Sequence, residues 1–388
     1  MSITTLFALS AALHLFVGAR LVPHLASLAG ALFTALLVVS AVAAPLGVIA
    51  RRMFRPPLTD RIGRLGLPFL GLFSSLFVAT LLRECVLLLA WLFTVAQPGR
   101  IDWRELEQLS AAAVPALALA ATVLGFLNAQ RTPRVRTVEI AHSALPAALH
   151  GFTIAQISDL HVGPTIRRRF VGRVVAAVNA LAPDLVAITG DLVDGPVAEL
   201  ADEVAPLAAL DAPDGVYFVS GNHEYYAGVH AWLAQVRRLG IRVLQNEHVV
   251  IDRAGAKLVL AGVSDFSAGH FAPSHRSDPA AALRGAPADA ALKVLLAHQP
   301  RSAPAAAQAG FDLQLSGHTH GGQFLPWNFF VRFQQPFTAG LHQLGRLTVY
   351  VSRGTGYWGP PKRFGAPSEI TRIRLVSGKR HDERAARR

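Results

Sequence analysis

The residues best suited to chemistry lie where short apolar stretches end, in the second half of the chain. "FTIAQIS" is followed by Asp159, "DLVAIT" by Gly190 and Asp191, and "FDLQLS" by "GHTH". The stretch ends together supply these candidates: Asp159, His161, Asp191, Asn222, His223, His298, His318 and His320. Carboxylate, amide and imidazole groups without a thiolate suit divalent ions such as Mn²⁺, Fe²⁺ or Zn²⁺. One such histidine alone would be more typical of packing, but the whole set predicts a metal site.

The spacing of the ligands suggests how the backbone presents them. "DLH" and "HTH" each place two candidates at i and i+2, which extended backbone directs to one side and an α-helix would separate. We therefore expect extended backbone at both motifs. Glycines such as Gly190, Gly221 and Gly317 would let the chain turn tightly beside the ions.

These ligands require strands that end at one edge of a sheet. Between the first two stretches, "RRRFVGRVVAAVNALAP" has the apolar spacing of an amphipathic helix and ends at Pro183. Strand, helix and strand in this order indicate an α/β domain, in which ligands collect beyond the carboxyl ends of the strands. We place this domain at residues 151–376, after a linker with an edge strand at 131–150. Residues 264–290 lack periodicity and are expected to form a rim or cap.

The first third of the 388-residue chain has a different composition. Four apolar stretches lie at Ile3 to Ala19, Leu25 to Ala50, Gly66 to Ala96 and Leu109 to Ala129. Each is near or above the length of about 20 residues that spans a bilayer. The sequence therefore predicts a four-helix transmembrane anchor over residues 1–130.

Polar residues are rare within these apolar stretches. Arg83 and Glu84 are adjacent in the third, and His14 lies in the first. Charges at membrane depth often mark function, but an adjacent pair in a long stretch also suits an interface or a helix contact. We favour the second interpretation. The one cysteine, Cys85, lies in the same stretch, so no disulfide framework is predicted.

Loop charge predicts the orientation in the membrane, because Lys and Arg are retained on the cytoplasmic side. The loop after the second apolar stretch contains Arg51, Arg52, Arg55, Arg61 and Arg64. With four spans, both termini then lie in the cytoplasm, as the arginines after the last span also indicate. We predict a multi-pass protein of the inner (plasma) membrane with a cytoplasmic catalytic domain.

The formal net charge of +12 raises the question of nucleic acid binding. No zinc finger, RNP-type motif or basic-aromatic stripe is visible, so no nucleic acid partner is expected. The basic residues cluster beside the apolar stretches and in the tail at residues 377–388, where they suit anionic lipid headgroups. Membrane lipids are therefore the expected partner.

The order of the motifs resembles a known family. "DLH", "GD", "GNHE", a later single histidine and "GHTH" follow one another as in the calcineurin-like metallophosphoesterase superfamily. "GHTHGGQ" and "SRGTGYWGPPKRFGAPSEI" resemble its bacterial membrane-associated branch, which includes phosphodiesterases. The resemblance covers residue 151 to about residue 376 and implies an α/β sandwich with mixed sheets.

The resemblance also implies a role for each motif residue. It assigns two metal sites that share one carboxylate: Asp159, His161, Asp191 and His320 form the first, and Asp191, Asn222, His298 and His318 form the second. His223 is the histidine that binds no metal in this family. It would stabilise charge on the phosphorus centre or protonate the leaving alkoxide.

This family chemistry implies a metal-dependent phosphoric ester hydrolase. Two ions about 3.5 to 4 Å apart would clamp the attacking and leaving oxygens, with a metal-bridging hydroxide as nucleophile. The substrate would be a phosphodiester or a pyrophosphate, and a membrane anchor makes a lipid-linked one attractive; a soluble phosphodiester or phosphoprotein stays open. The alternative is a membrane sensor or scaffold whose domain binds without turnover, but the complete ligand set argues against it.

Three arginines are candidates for binding the substrate phosphate. Arg167 begins the first predicted helix, near Asp159 and His161, whereas Arg353 and Arg363 flank "GTGYWGPPK". A solvated or headgroup-facing arginine is the alternative for Arg167.

Overall fold

The computed structural model describes residues 2–378 and divides the chain into two compact units. The first unit contains the chain up to Gln130 together with the distant segment Gly359–Phe364. The second begins at Arg131, runs to Trp358 and resumes at Gly365. Residues 379–388, most of the predicted basic tail at 377–388, lie outside the described residues.

The first unit is built from four helices. They are α1 (Ile3–Leu21), α2 (Ser27–Met53), α3 (Leu58–Ala96) and α4 (Trp103–Gln130). Each is long and apolar enough to cross a membrane by length and composition. The four long apolar helices predicted from the sequence are therefore confirmed, and α3 extends well beyond the predicted apolar stretch at its start.

The charged pair in α3 is held by hydrogen bonds inside this unit. The buried Arg83 guanidinium donates to Ser110 Oγ at 2.9 Å and to the carbonyl oxygens of Arg20 at 3.2 Å and Glu107 at 3.3 Å. It also forms an ion pair with Glu84 at 2.9 Å, and Glu84 pairs in turn with Arg20. These contacts support the interpretation of Arg83 and Glu84 as residues of a helix contact.

His14 of α1 is equally well supplied with partners. Its Nδ1 donates to the Ser10 carbonyl oxygen at 2.7 Å, so its Nε2 accepts from Ser40 Oγ at 2.9 Å. Its ring stacks on Phe73, with the two centroids 3.6 Å apart. The imidazole therefore joins α1, α2 and α3.

The segment Gly359–Phe364 packs on the helices of the first unit through Lys362. The buried Lys362 Nζ donates to the Gly71 carbonyl oxygen at 2.8 Å, to Thr122 Oγ1 at 3.2 Å and to Ser75 Oγ. These acceptors lie on α3 and α4, so one ammonium group joins two helices. Periodicity in the sequence did not indicate this contact.

The second unit contains two six-stranded sheets. The first sheet has the order β1-β12-β2-β3-β4-β5, with bounds Arg134–His142, Glu369–Ser377, Thr153–Ile157, Leu185–Ile188, Val216–Phe218 and Arg242–Val243. Strands β2 to β5 are parallel, and β12 runs antiparallel to β2. Every residue of β2 and β3 is buried, as expected for parallel strands covered on both faces.

The second sheet has the order β10-β11-β9-β8-β7-β6. Its bounds are Gly340–Leu344, Leu347–Val351, Leu313–Ser316, Leu292–Leu296, Ala256–Gly262 and Glu247–Arg253. The four central strands are parallel, and an antiparallel strand closes each edge. The α/β architecture with mixed sheets is therefore confirmed.

The core lies between the two sheets. Ile154 and Leu185 of the first sheet share one buried cluster with Leu260, Val294 and Leu315 of the second. Because these side chains alternate along their strands, the opposite face of each sheet is left for helices. The sandwich fixes the positions of the strand ends relative to one another.

Helices occupy the connections between strands. They are α5 (Arg168–Asn179), α6 (Val197–Val204), α7 (Asn222–Ala227), α8 (Val229–Arg238), α9 (Pro279–Ala282), α10 (Ala303–Ala309) and α11 (Asn328–Val331). Helix α5 buries Phe170, Val174 and Val178 on the face that the sequence pattern predicted. The expected rim at 264–290 consists of short 3₁₀ turns and α9.

Candidate metal centre

The predicted ligands follow the carboxyl ends of the central strands of both sheets. Asp159 and His161 come after β2, Asp191 after β3, and Asn222 begins α7 just beyond β4. From the second sheet, His298 follows β8 and "GHTH" follows β9. Because the two sheets pack face to face, these ends meet at one edge of the sandwich.

A first group of ligands consists of Asp159, His161 and His320, whose ligand atoms lie within 4.8 Å of one another. The Nε2 atoms of the two histidines are 3.0 Å apart, and His320 Nε2 is 3.6 Å from Asp159 Oδ1. Three potential ligand atoms thus converge in a buried place. The geometry suits a cation better than packing, because two imidazole nitrogens that face each other can share at most one proton.

A second group consists of Asp191, His298 and His318. His298 Nε2 lies 3.1 Å from Asp191 Oδ2 and 3.2 Å from His318 Nδ1. The Nδ1 of His298 donates to the Thr189 carbonyl oxygen at 2.7 Å, which directs Nε2 into the group. Asp191 Oδ2 is also 3.7 Å from His161 Nε2, so this carboxylate lies between the two groups.

Asn222 gives an independent test of whether the residues fit a metal. Its Oδ1 is buried, and no described residue donates a hydrogen bond to it. A buried amide oxygen without a donor costs about 1–3 kcal/mol. A cation held with Asp191, whose carboxylate accepts from the neighbouring His223 N–H at 2.9 Å, would offset this cost. The residues present therefore fit a divalent ion.

The backbone at the ligands differs from the prediction. Asp159, His161, His318 and His320 have φ values of 55°, 50°, 70° and 52°, so the extended conformation expected for "DLH" and "HTH" is wrong. The reason is that β2 and β9 end before these motifs, and the chain turns there. Asp191 has a φ of 51° as well. Non-glycine residues in this region store about 1–3 kcal/mol of strain each and cluster at functional sites.

Two glycines allow backbone and ligands to approach closely. A Cβ at Gly221 would overlap Asp191 Oδ1, and one at Gly317 would overlap Ser158 Oγ and Asp159 Oδ2. The expectation of close turns at these glycines agrees with the structure. The main-chain N–H of His318 donates to both carboxylate oxygens of Asp159 at 3.0 Å, which links the β2 loop to the β9 loop.

Asp194 is a site residue that the sequence analysis missed. Its Oδ1 lies 2.8 Å from His161 Nδ1 and 2.7 Å from His223 Nδ1. Burial raises the pKa of Asp194, but the charges of the two histidines and their hydrogen bonds outweigh this and hold it well below its usual value. The one available signal was its place three residues after Asp191, in "GDLVD".

His223 lies beside the ligands and near the surface. Burial lowers its pKa, but the charge of Asp191 and the hydrogen bond that His223 donates to Asp194 raise it to about 9. Its ring contacts the partly exposed rings of Tyr226 and Trp358, at centroid distances of 5.2 and 5.9 Å. His223 is thus held by one carboxylate and remains within reach of solvent.

Glu224 joins the loops that carry two of the ligands. Its buried carboxylate accepts from the main-chain N–H groups of Gly221 at 2.6 Å, Asp191 at 3.1 Å and Leu192 at 2.7 Å. Burial and the charge of Asp191 raise its pKa to about 7. Glu224 therefore supports the site through the backbone, and no ligand group includes it.

The three arginines proposed as phosphate contacts are placed differently. Arg167 forms an ion pair with Glu203 at 3.2 Å. Arg353 lies against the ligand loop, since a Cβ at Gly321 would be 3.0 Å from its Cγ. Arg363 is buried and belongs to the first unit, where its main-chain N–H donates to the Gly125 carbonyl oxygen at 2.8 Å.

The chain is similar in sequence to known proteins. The family model described as calcineurin-like phosphoesterase matches residues 152–322. A transmembrane protein with metallophosphoesterase domain from Bos taurus is 43% identical over 277 residues, which cover 67% of this chain and 62% of that protein. This chain thus spans about three fifths of that relative's length.

Smaller bacterial relatives are matched over most of their length. A metallophosphoesterase from Aquifex aeolicus is 34% identical over 249 residues, or 63% of this chain and 92% of that protein. One from Bacillus subtilis is 32% identical over 246 residues, or 61% of this chain and 84% of that protein. The chain belongs to the calcineurin-like metallophosphoesterase family, as the motif order predicted. Membership in this family implies divalent metal ions.

Proposed function

We propose that the protein is a membrane-anchored, dinuclear metal-dependent phosphoesterase that hydrolyses a phosphodiester or pyrophosphate bond. The observation that carries this proposal is the position of Asp191 between two groups of ligands. Its Oδ2 lies 3.1 Å from His298 Nε2 and 3.7 Å from His161 Nε2, so this carboxylate would serve both ions. The four apolar helices support the anchor.

The proposed ligand sets follow these groups. Asp159, His161, Asp191 and His320 would hold one ion, and Asp191, Asn222, His298 and His318 the other. Nitrogen and oxygen donors without sulfur favour Mn²⁺, Fe²⁺ or Zn²⁺. The buried Oδ1 of Asn222 supports its inclusion.

When bound, the ions would act as Lewis acids toward the phosphoryl oxygens. They would also lower the pKa of water, so that hydroxide is available to attack at neutral pH. The chain supplies the proton for the leaving group. Asp194 holds Nδ1–H of His223, which leaves Nε2–H to protonate the departing alkoxide as its bond to phosphorus breaks. Such general-acid catalysis contributes about 10²- to 10⁴-fold in rate.

Arg353 is the preferred contact for the substrate phosphate, because it lies beside the loop of His320. A guanidinium can bind two phosphate oxygens at once. Arg167 is a weaker candidate because it is already paired with Glu203, and Arg363 is weaker because it belongs to the first unit.

The test is an assay of the full chain in nanodiscs with Mn²⁺ and bis-p-nitrophenyl phosphate. We expect turnover by the wild type, and losses in Asp191→Ala and His223→Ala. His248→Ala is the matched control, because this histidine of β6 bonds to the Ala282 carbonyl oxygen and belongs to no ligand group. Absence of wild-type turnover with every divalent metal would favour the sensor or scaffold function instead.

The proposed location is the inner membrane with the phosphoesterase unit in the cytoplasm, where it would meet a lipid-linked headgroup. The arginines between α2 and α3, such as Arg51 and Arg52, support this orientation. Reporter fusions after α4 test it. Activity of a reporter that works only outside the cytoplasm would contradict it.

A further inference from the structure

The second unit exposes a group of large apolar side chains that its core does not use. We name it the aromatic surface; it consists of Leu325, Trp327, Phe329, Phe330 and Phe333. The last three expose 61%, 53% and 73% of their area. Single exposed apolar residues are ordinary, but a contiguous group marks an interaction site.

The backbone presents these rings as a row. The ring centroids of Trp327 and Phe330 are 5.7 Å apart, and those of Phe330 and Phe333 are 6.3 Å apart. Helix α11 lies within the row and gives it helical spacing. The rings of Trp327, Phe330 and Phe333 therefore form one continuous surface.

The aromatic surface is fixed to the loop that carries the metal ligands. Gly322 has a φ of 79°, and a Cβ there would overlap Asn328 Cα, at the start of α11. Gln323 also holds this segment, because its Nε2 donates to the Trp358 carbonyl oxygen at 2.7 Å. The surface is thus part of the folded unit.

The chain segment that carries the aromatic surface has charge of one sign. The sequence contains no acidic residue between Asp312 and Glu369. Arg332 lies within the row, is exposed, and places its guanidinium 5.5 Å from the ring centroid of Phe333. Tryptophan and phenylalanine beside a cation are typical of surfaces at the interface between lipid and water.

We propose that the aromatic surface binds a bilayer containing anionic lipid, with its rings among the headgroups and Arg332 at the phosphates. The same chain contains four helices of membrane length, so a lipid bilayer would always be available to this surface. This contact would be additional to the helices and does not depend on hydrolysis.

Fluorescence of single labels in the full chain tests the proposal. In a Cys85→Ser background, which removes the one cysteine, Phe330→Cys and the control Val250→Cys each receive an environment-sensitive fluorophore. Both positions are exposed, and Val250 lies on β6, an edge strand of the second sheet. In nanodiscs of phosphatidylcholine and phosphatidylglycerol, we expect blue-shifted emission and quenching by headgroup nitroxide lipids for the Phe330 label alone.

Two results would overturn the proposal. The first is quenching of both labels by aqueous iodide to the same extent, with no effect of nitroxide lipids. The second is protection of the Phe330 label only in discs that hold two chains, which would assign the surface to a second copy. Neither readout requires turnover, so failure here is distinct from failure of the proposed hydrolase function.

Discussion

Both units bury polar groups, but they differ in whether the protein supplies hydrogen-bond partners for those groups. In the helical unit, the Arg83 guanidinium has acceptors on neighbouring helices, and both ring nitrogens of His14 have partners. In the phosphoesterase unit, imidazole nitrogens face one another, and Asn222 Oδ1 has no donor among the described residues. A buried polar group whose hydrogen bonds are made within the protein, as in the helical unit, indicates a structural role. Buried acceptor atoms that converge without donors indicate a site for a ligand.

Burial alone does not distinguish a residue of a helix contact from a candidate metal ligand. Arg83 and Asp191 are both nearly inaccessible to solvent. Removing one partner from a buried network costs stability. Removing a ligand from a metal site costs binding and rate. Substitutions in the two units should therefore affect different measurements.

The largest expected effect is that of Asp191→Asn. Because both proposed ligand sets share this carboxylate, we expect phosphodiester turnover to fall by more than about 10⁴-fold, or about 5.5 kcal/mol. Metal analysis of the purified protein should show fewer bound ions than in the wild type. Full metal content with full activity would show that Asp191 belongs to a closed network like that of Arg83.

The counterpart in the helical unit is Arg83→Met. Loss of the guanidinium leaves Glu84 and the carbonyl oxygens of Arg20 and Glu107 with fewer donors, so we expect a loss of about 3–5 kcal/mol in unfolding free energy in micelles. Turnover per folded molecule should stay unchanged. Arg20→Met is the control, because the side chain of this half-exposed residue pairs with Glu84 at the surface, a contact worth at most about 1 kcal/mol. Lost turnover with unchanged stability would give Arg83 a functional role.

Metal addition separates the units without substitution. Ions bind the native ligand groups, so Mn²⁺ at about 100 times its dissociation constant should stabilise the phosphoesterase unit by about 2.7 kcal/mol. Hydrogen exchange at β2 and β9 should slow, while exchange in α2 and α3 should not change. A chelator should reverse the effect. Equal protection of both units would mean that the metal acts elsewhere.

The smallest expected effect is that of Asp194→Asn. Its carboxylate raises the pKa of His223 and orients its ring, so the substitution should lower turnover by about 10- to 100-fold. A general acid loses its proton as pH rises through its pKa. Removing the charge lowers that pKa, so the basic limb of the pH–rate profile should move to lower pH. An unchanged limb would assign Asp194 a purely structural role.

The sequence was most informative where candidate metal ligands come directly after a strand. The runs that end at Asp159, Asp191 and His318 are strands, and the parallel order explains why residues so far apart in sequence meet. The four apolar helices could also be predicted, because length and composition alone define them.

Other features could not be predicted from the sequence, because they depend on contacts between distant residues. Asp194 ends no apolar run, and only the folded chain brings it to His161 and His223. The left-handed backbone at His161 is a property of the turn, and no glycine or asparagine signals it. The partners of Arg83 come from separate helices.

The segment Gly359–Phe364 has a consequence for the order of folding during synthesis. The hydrogen bond from Lys362 to Thr122 spans 240 positions of sequence. The helices α1 to α4 therefore leave the ribosome long before their last packing partner exists, and contacts of this separation form late. A fragment that ends after Gln130 would lack a buried ammonium group that joins α3 to α4. A fragment that begins at Arg131 would carry that group without its acceptors.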